Sequence, residues 1–332
     1  MRSLLLAAAP LALLFTAVPA QPQASAAIAA GKAQPSPLAP SEIVAAAPKG
    51  DWTAIAKTDL LVMELASDAK GRPRRVVIQL MPPPFSQGWI GNIRKLAAAH
   101  WWDGMAVNRV QDNYVVQWGD PNADDKAKAK PLPAGMVTMP ESAYVVSTKG
   151  PAVDGQIAAW HPVRPILDQY SDWASLEWGW AVAHATENGD TILKSWPVHC
   201  YGMVGVGRDL SPNTGSGAEL YVVIGHAPRH LDRNIALVGR VIEGMEYLSS
   251  LPRGHGALGF VDPAQGDERV PIQSIHPGGE VADLPAYEYL STESASFAKY
   301  ADARANRKDA FFIRPAGGAD ICNIPVPVRR VK

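Results

Sequence analysis

Short apolar runs rich in β-branched residues recur along this chain, each closed by turn residues, and that rhythm restricts it to a mainly β architecture with few helices. "LLVMEL" (Leu60–Leu65) and "RVVIQL" (Arg75–Leu80) read as strands joined through the turn chemistry of Gly71-Arg72-Pro73. Two more follow around Met105–Val110 and Tyr114–Trp118. "YGMVGVGR" and "AELYVVIG" then bracket the loop "DLSPNTGSG", and "IALVGRV" and "VPIQSI" complete the set. "SQGWIGNIRKLAAAHWW" spaces Trp89, Ile93, Leu96 and Ala97 for a core-covering helix, and "IEGMEYLSSL" reads as a second. Strand, strand, helix, strands, helix, strand predicts a closed or nearly closed β-barrel, with helices placed to cap its open ends.

The remaining segments are appendages to that barrel. Arg2, the apolar run that follows and Val18-Pro19-Ala20 form the pattern of a secretory signal peptide, with Ala24-Ser25-Ala26 as a second cleavage site. Residues 1–26 are therefore expected to be removed, leaving a periplasmic or secreted protein with no membrane span. Residues 27–50, rich in Ala, Pro, Ser and Gln, read as a flexible leader. The barrel domain is placed at 51–280 and includes an insertion at 121–197 where the strand rhythm decays. The insertion's tryptophans, Trp160, Trp173, Trp178, Trp180 and Trp196, read as a small core of an irregular excursion, or else as a binding surface. A C-terminal extension, 281–332, carries one predicted helix in "TESASFAKYADARANRKDAF".

Composition excludes several functions. The formal charge of -1 provides no basic field for nucleic acid or an anionic membrane. "GMVGVGR" lacks a full dinucleotide fingerprint, and "TGSGA" is not a hydrolase elbow. The eight histidines show no metal-ligand spacing, so neither metal nor cofactor is expected. The two cysteines, Cys200 and Cys322, read equally as a disulfide compatible with export or as two separate buried thiols.

One stretch remains, "DGMAVNRVQDNYVVQWGDP" (Asp103–Pro121), which sets Arg109 among hydrophobic neighbours and Gln117 in a second apolar run eight positions on. By spacing alone, an ion pair of Arg109 with Asp103, Asp112 or Asp120 is the simpler reading. Yet Trp102-Asp103-Gly104, Val107-Asn108-Arg109-Val110, Tyr114-Val115-Val116-Gln117 and Gly119-Asp120-Pro121 resemble "YDG..FHRV...F.IQGGDP", the central motif of the cyclophilin family of peptidyl-prolyl cis-trans isomerases. A second block, "YGMVGVGRDLSPNTGSGAELYVVIGHAPRHLDRNIALVGRVIEGM", is similar to that family's "G.v.MAR...pns..SQFFI....a.hLD..ytvFGrVieGm". With the first hairpin, the two blocks span roughly residues 58–120 and 198–276.

The resemblance implies an eight-stranded antiparallel barrel capped by two helices, with a peptide groove on its outer face and proline-containing polypeptides as substrates. Arg109 takes the place of the catalytic arginine and Gln117 that of the glutamine bonding the substrate backbone. Tyr114, Val115, Tyr221 and Leu231 stand at proline-pocket positions, and Gly207 and Arg208 in the peptide-binding segment. The chain departs from the pattern at Ala218, Glu219, His230, Ile235 and Trp118, which bears on substrate preference and efficiency. Ala218, Glu219, Ile235 and Trp118 also motivate an alternative, a cyclophilin-like binding or holdase module with little catalysis. A monomer is expected.

Overall fold

The computed structural model describes residues 37–123, 125–149, 166–187 and 192–331. The expected signal peptide, the first part of the leader and Trp160 lie outside the described residues. Eight strands form one antiparallel sheet: β2 (Leu60–Leu65), β3 (Arg74–Leu80), β4 (Ala106–Val110), β5 (Val115–Gly119), β10 (Met203–Val206), β11 (Leu220–Val223), β12 (Leu237–Glu243) and β13 (Ile272–Pro277). They run in the order β13-β2-β3-β12-β10-β11-β5-β4. The two edges meet through the backbone: Val107 N donates to Val270 O (2.9 Å) and Ile272 N to Met105 O (2.7 Å). The sheet thus closes into the barrel that the strand rhythm predicts.

Alternation along the strands fills the interior with Leu61, Met63, Val76, Ile78, Val107, Val116, Trp118, Val204 and Val222. Helix α2 (Gln87–Ala98) adds Trp89, Ile90, Ile93 and Leu96 to the same core, and Leu248 of α3 (Met245–Ser249) joins them. β2 and β3 are apolar on both faces for a reason visible outside the barrel. Leu60, Val62 and Val77 pack outward against Leu284 and Tyr287 of the C-terminal extension. A strand covered on both sides reads as an unbroken hydrophobic run.

That extension is more regular than one helix. β14 (Tyr287–Leu290) pairs with β1 (Trp52–Ile55) on one side and β15 (Val328–Arg330) on the other. The expected helix is α4 (Ala295–Ala305), with Ser294 accepting from Phe297 N (3.1 Å) as its N-cap. The leader does not run flexible to residue 50. Pro40–Ala46 forms helix α1, and Ile43, Val44 and Ala47 pack with Phe297, Tyr300 and Ala301. Small alanines hid this helix because its apolar face makes sense only against α4.

The insertion is likewise a sheet rather than an irregular excursion: β6 (Val146–Lys149), β7 (Trp173–Glu177), β8 (Trp180–Glu187) and β9 (Ile192–Pro197), in the antiparallel order β6-β9-β8-β7. Its strands bury polar groups as well as apolar ones, which blurred their period. His184 is 4% exposed and bonds Ser175 Oγ and Ser195 Oγ, both at 2.9 Å. Trp196 packs with Ala174, Ala183, Val198 and Ile321, while Trp180 joins the barrel core. Arg240 of β12 fastens this sheet to the barrel, donating to Gln79 Oε1 (2.9 and 2.8 Å) and Gly179 O (2.6 Å), with its guanidinium 4.5 Å from the Trp180 ring. Burial among these groups draws its pKa down to about 10.

Cys200 and Cys322 are joined in a disulfide, tying the segment that leads into β10 to the extension. Because the bridge closes a loop of 122 residues, Cys322→Ser is expected to lower unfolding free energy by about 2–5 kcal/mol. Urea titration of the oxidised protein beside the variant measures this loss.

Candidate active site

Arg109 is brought to the surface by an irregularity in β4. Pairing with β5 runs Val107 opposite Trp118 and then Arg109 opposite Gln117, so Asn108 is an extra residue in a β-bulge. Val107 and Val110 point into the core on either side of it. Without that extra residue, strict alternation would send Arg109 inward. Asn108 is buried, and its Nδ2 donates to Gly119 O (2.9 Å), which holds the bulge.

Register carries the site across the neighbouring strands. Gln117 of β5 lies opposite Tyr221 of β11, and Tyr221 lies opposite Gly205 of β10. Arg109, Gln117, Tyr221 and Gly205 therefore form one cross-strand row on the outer face. Gly205 is required there, since a Cβ would lie 2.2 Å from the Tyr221 ring carbon that bears the hydroxyl. Beside the row, Val115, Tyr221 and Val223 make an apolar cluster separate from the barrel core, flanked by Tyr114 and Ile235.

Among the described residues, the hydrogen-bond partners of Arg109 are neutral. Nε donates to Leu258 O (2.7 Å), and one terminal nitrogen to Gln117 Oε1 (3.0 Å) and the other to Gln111 Oε1. The guanidinium sits 5.6 Å from the Tyr114 ring and 5.4 Å from the Phe260 ring, an aromatic bracket for a cation. The three candidate ion-pair partners are engaged elsewhere. Asp103 bonds His276 (2.8 Å), Asp112 pairs with Arg253 (2.9 Å), and Asp120 accepts from the backbone of Asn122 (2.9 Å) and Lys130 (2.6 Å). Burial lowers the Arg109 pKa, partly offset by Tyr114 and Glu219, and the group stays cationic at neutral pH. Burial also raises the Tyr114 pKa, so its phenol stays protonated.

Gln117 links two charges. While its carbonyl accepts from Arg109, its Nε2 donates to Glu219 Oε1 (2.6 Å), which fixes the amide orientation. Glu219 fits because its neighbours across the sheet are glycines. A Cβ at Gly207 would meet its side chain at 2.8 Å, and one at Gly119 at 3.2 Å.

Tyr221 is the floor of the cluster, only 4% exposed, and its hydroxyl begins a buried polar chain. Tyr221 Oη is 2.9 Å from His199 Nε2, and His199 Nδ1 is 2.8 Å from Asp232 Oδ1. A carboxylate oxygen accepts, so the His199 Nδ1–H faces Asp232 while Nε2 meets the Tyr221 hydroxyl. Arg229 Nε donates to Asp232 Oδ2 (2.7 Å), and its terminal nitrogens make a two-point contact with Asp168 of the insertion at 2.8 and 2.6 Å. Burial pushes the Tyr221 pKa well above its ordinary value, so the phenol stays protonated.

Of the residues singled out in the sequence, Arg109, Tyr114, Val115, Gln117, Glu219, Tyr221 and Ile235 come together on this face, with Gly207 against Glu219. Arg208 turns to the adjacent loop, donating to Asn234 O (2.9 Å) and Asp209 O (2.7 Å). Leu231 lies in a short 3-10 turn, where its carbonyl accepts from Ile235 N (3.2 Å), and it is not part of the apolar cluster. Trp118 points into the barrel core, away from this face. Sequence reasoning missed Phe260, Gln111 and His199. Phe260 stands in "GALGFVDP", where an aromatic among glycines was the one available signal.

Residues 89–276 match the family model described as cyclophilin type peptidyl-prolyl cis-trans isomerase/CLD. This is more than half of the chain, which belongs to that family of isomerases. Among solved structures, the cyclophilin AquaCyp293 from Hirschia baltica is similar over 85% of this chain and 94% of its own, at 18% identity and a TM-score of 0.58. A Cryptosporidium parvum cyclophilin-type isomerase, solved in the presence of the dipeptide Ala-Pro, aligns over 65% of this chain and 98% of its own, at 11% identity and a TM-score of 0.35. No curated protein matches the chain in sequence.

Two substitutions probe the row. Gly205→Ala is expected to displace the Tyr221 ring at a cost of about 1–3 kcal/mol. Tyr221→Phe keeps the ring but strands the buried His199 Nε2, for a loss of about 1–3 kcal/mol. Denaturant unfolding of each variant checks both values.

Proposed function

We propose that this face accelerates cis–trans isomerisation of X–Pro bonds in folding or exported polypeptides, with Arg109 as the catalytic residue. The observation that carries the reading is the cross-strand row, which sets a cation with neutral hydrogen-bond partners beside an apolar cluster. An X–Pro imide crosses a barrier of about 18–20 kcal/mol because rotation breaks C–N resonance. In the twisted state the prolyl nitrogen regains a lone pair. A charged planar donor directed at that nitrogen favours the twisted state over the planar ground state. No nucleophile, proton transfer or metal is required for such a step.

The remaining residues divide the work of holding the chain. Tyr114, Val115 and Tyr221 receive the proline ring, while Gln117, fixed by Glu219, bonds the substrate backbone. Desolvation of Arg109 strengthens its electrostatic effect on the imide. The departures that motivated a binding module without catalysis leave this machinery standing: Trp118 is inside the barrel, Ile235 lines the apolar cluster, and Glu219 orients Gln117. The N-terminal sequence pattern and the disulfide both support an exported enzyme.

Arg109→Ala is expected to lower kcat/KM for a proline-containing peptide by about 10²–10³-fold, the usual effect of deleting one preorganised donor. Arg109→Lys is expected to recover little of it, because an ammonium lacks the planar fork. A protease-coupled isomerisation assay reads the rates, and a far-UV circular dichroism spectrum matching that of the unsubstituted protein confirms the fold. Unchanged rates in Arg109→Ala would refute the mechanism.

A further inference from the structure

Two histidines that lie 176 positions apart in the chain meet face to face at one end of the barrel seam. The rings of His100 and His276 stack with centroids 3.9 Å apart and planes 19° from parallel. Asp103 lies against both: its Oδ2 is 2.8 Å from His276 Nε2 and 3.9 Å from His100 Nδ1. One donor atom from each of the three residues falls within 4.8 Å of the others. Glu280 completes the group from the far side, with Oε2 2.9 Å from His100 Nε2.

We propose that His100, Asp103 and His276 form a binding site for a divalent transition-metal ion of the imidazole-preferring kind, typified by Zn²⁺. The donor set is two neutral imidazole nitrogens and one carboxylate oxygen, which suits zinc and its neighbours and disfavours the all-oxygen preference of Mg²⁺ and Ca²⁺. Ligand atoms bonded tetrahedrally at 2.0–2.1 Å stand about 3.3 Å apart. The donor atoms now stand 2.8 and 3.9 Å from Asp103 Oδ2, so seating an ion requires the two imidazoles to turn out of their stack. The side chains are 46, 32 and 27% exposed for His100, Asp103 and His276, so they have room to turn and a fourth position faces solvent.

The backbone beneath them is fixed. His100 follows the C-terminus of α2 in a capping turn, with His100 N donating to Ala97 O and Trp101 N to Leu96 O, both at 2.9 Å. Asp103 is held through Oδ1 by Ile275 N (3.2 Å), and His276 belongs to β13. Glu280 supplies the outer partner that metal-bound histidines generally have: accepting from Nε2–H, it leaves Nδ1 of His100 to face the ion. An ion here would join the end of α2 to the last barrel strand. The residues involved are distinct from the Arg109 row.

The test is isothermal titration of tag-free, chelator-stripped protein with ZnCl₂, beside thermal unfolding with and without the ion. One Zn²⁺ per chain, a raised Tm reversed by EDTA, and no shift with MgCl₂ are expected. His100→Ala and His276→Ala should each weaken binding at least 10-fold. Glu280→Gln should weaken it about 10-fold at unchanged stoichiometry. His255→Ala, which removes a histidine outside the group, should leave it unaltered. Absence of zinc binding would overturn the proposal, as would binding of equal strength in His100→Ala. His100 is half-exposed at a helix end, so that variant keeps the test decisive should His276→Ala fail to fold.

Discussion

The hydrogen bond from Asn108 Nδ2 to Gly119 O holds one surplus residue in β4, and the character of the outer face depends on it. A barrel strand ordinarily divides its residues between core and solvent by strict alternation. The bulge resets that count between Val107 and Val110, so both valines stay inside while Arg109 emerges next to Gln117. Because strand register is continuous through β5, β11 and β10, the same reset aligns Arg109 with Tyr221 and Gly205. The seam then supplies the rest: Val261 N bonds Asn108 O (2.9 Å), and Phe260 comes to lie over the guanidinium.

The floor of the face is supported from outside the barrel. Asp168 belongs to the insertion, and the chain Asp168–Arg229–Asp232–His199–Tyr221 carries that support inward through side chains almost wholly removed from water. Buried charges of this kind contribute little net stability when paired, but removing one partner commonly costs about 3–5 kcal/mol. Their hydrogen bonds are directional, however, and the last of them ends on the Tyr221 hydroxyl. The insertion thereby helps to position the Tyr221 side chain at the floor of the apolar cluster.

How much of this was legible depended on where each signal resides. The barrel could be read because its strands carry apolar residues at the strand period, and Arg109 and Gln117 because their spacing survives in a motif. The insertion sheet could not, since His184, Ser175 and Ser195 satisfy one another inside it, and polar residues at buried positions erase the period. α1 was read as leader because its alanines look like linker until α4 is placed beside them. His199 and Phe260 join the site only through contacts with residues 22 and 151 positions away, which no local pattern encodes. The same limit applied to His100 and His276. Trp118, one of the departures from the motif, takes a strand position that turns it into the barrel core.

The bridge between Cys200 and Cys322 has a bearing on how this protein meets proteases. Four of the eight barrel strands, β10 to β13, lie between the two cysteines. The exposed turn at Pro263–Gln265 lies within that span as well. Hydrolysis of a single peptide bond there would yield fragments that remain one molecule under oxidising conditions. The nick would show on a gel only after a thiol had been added.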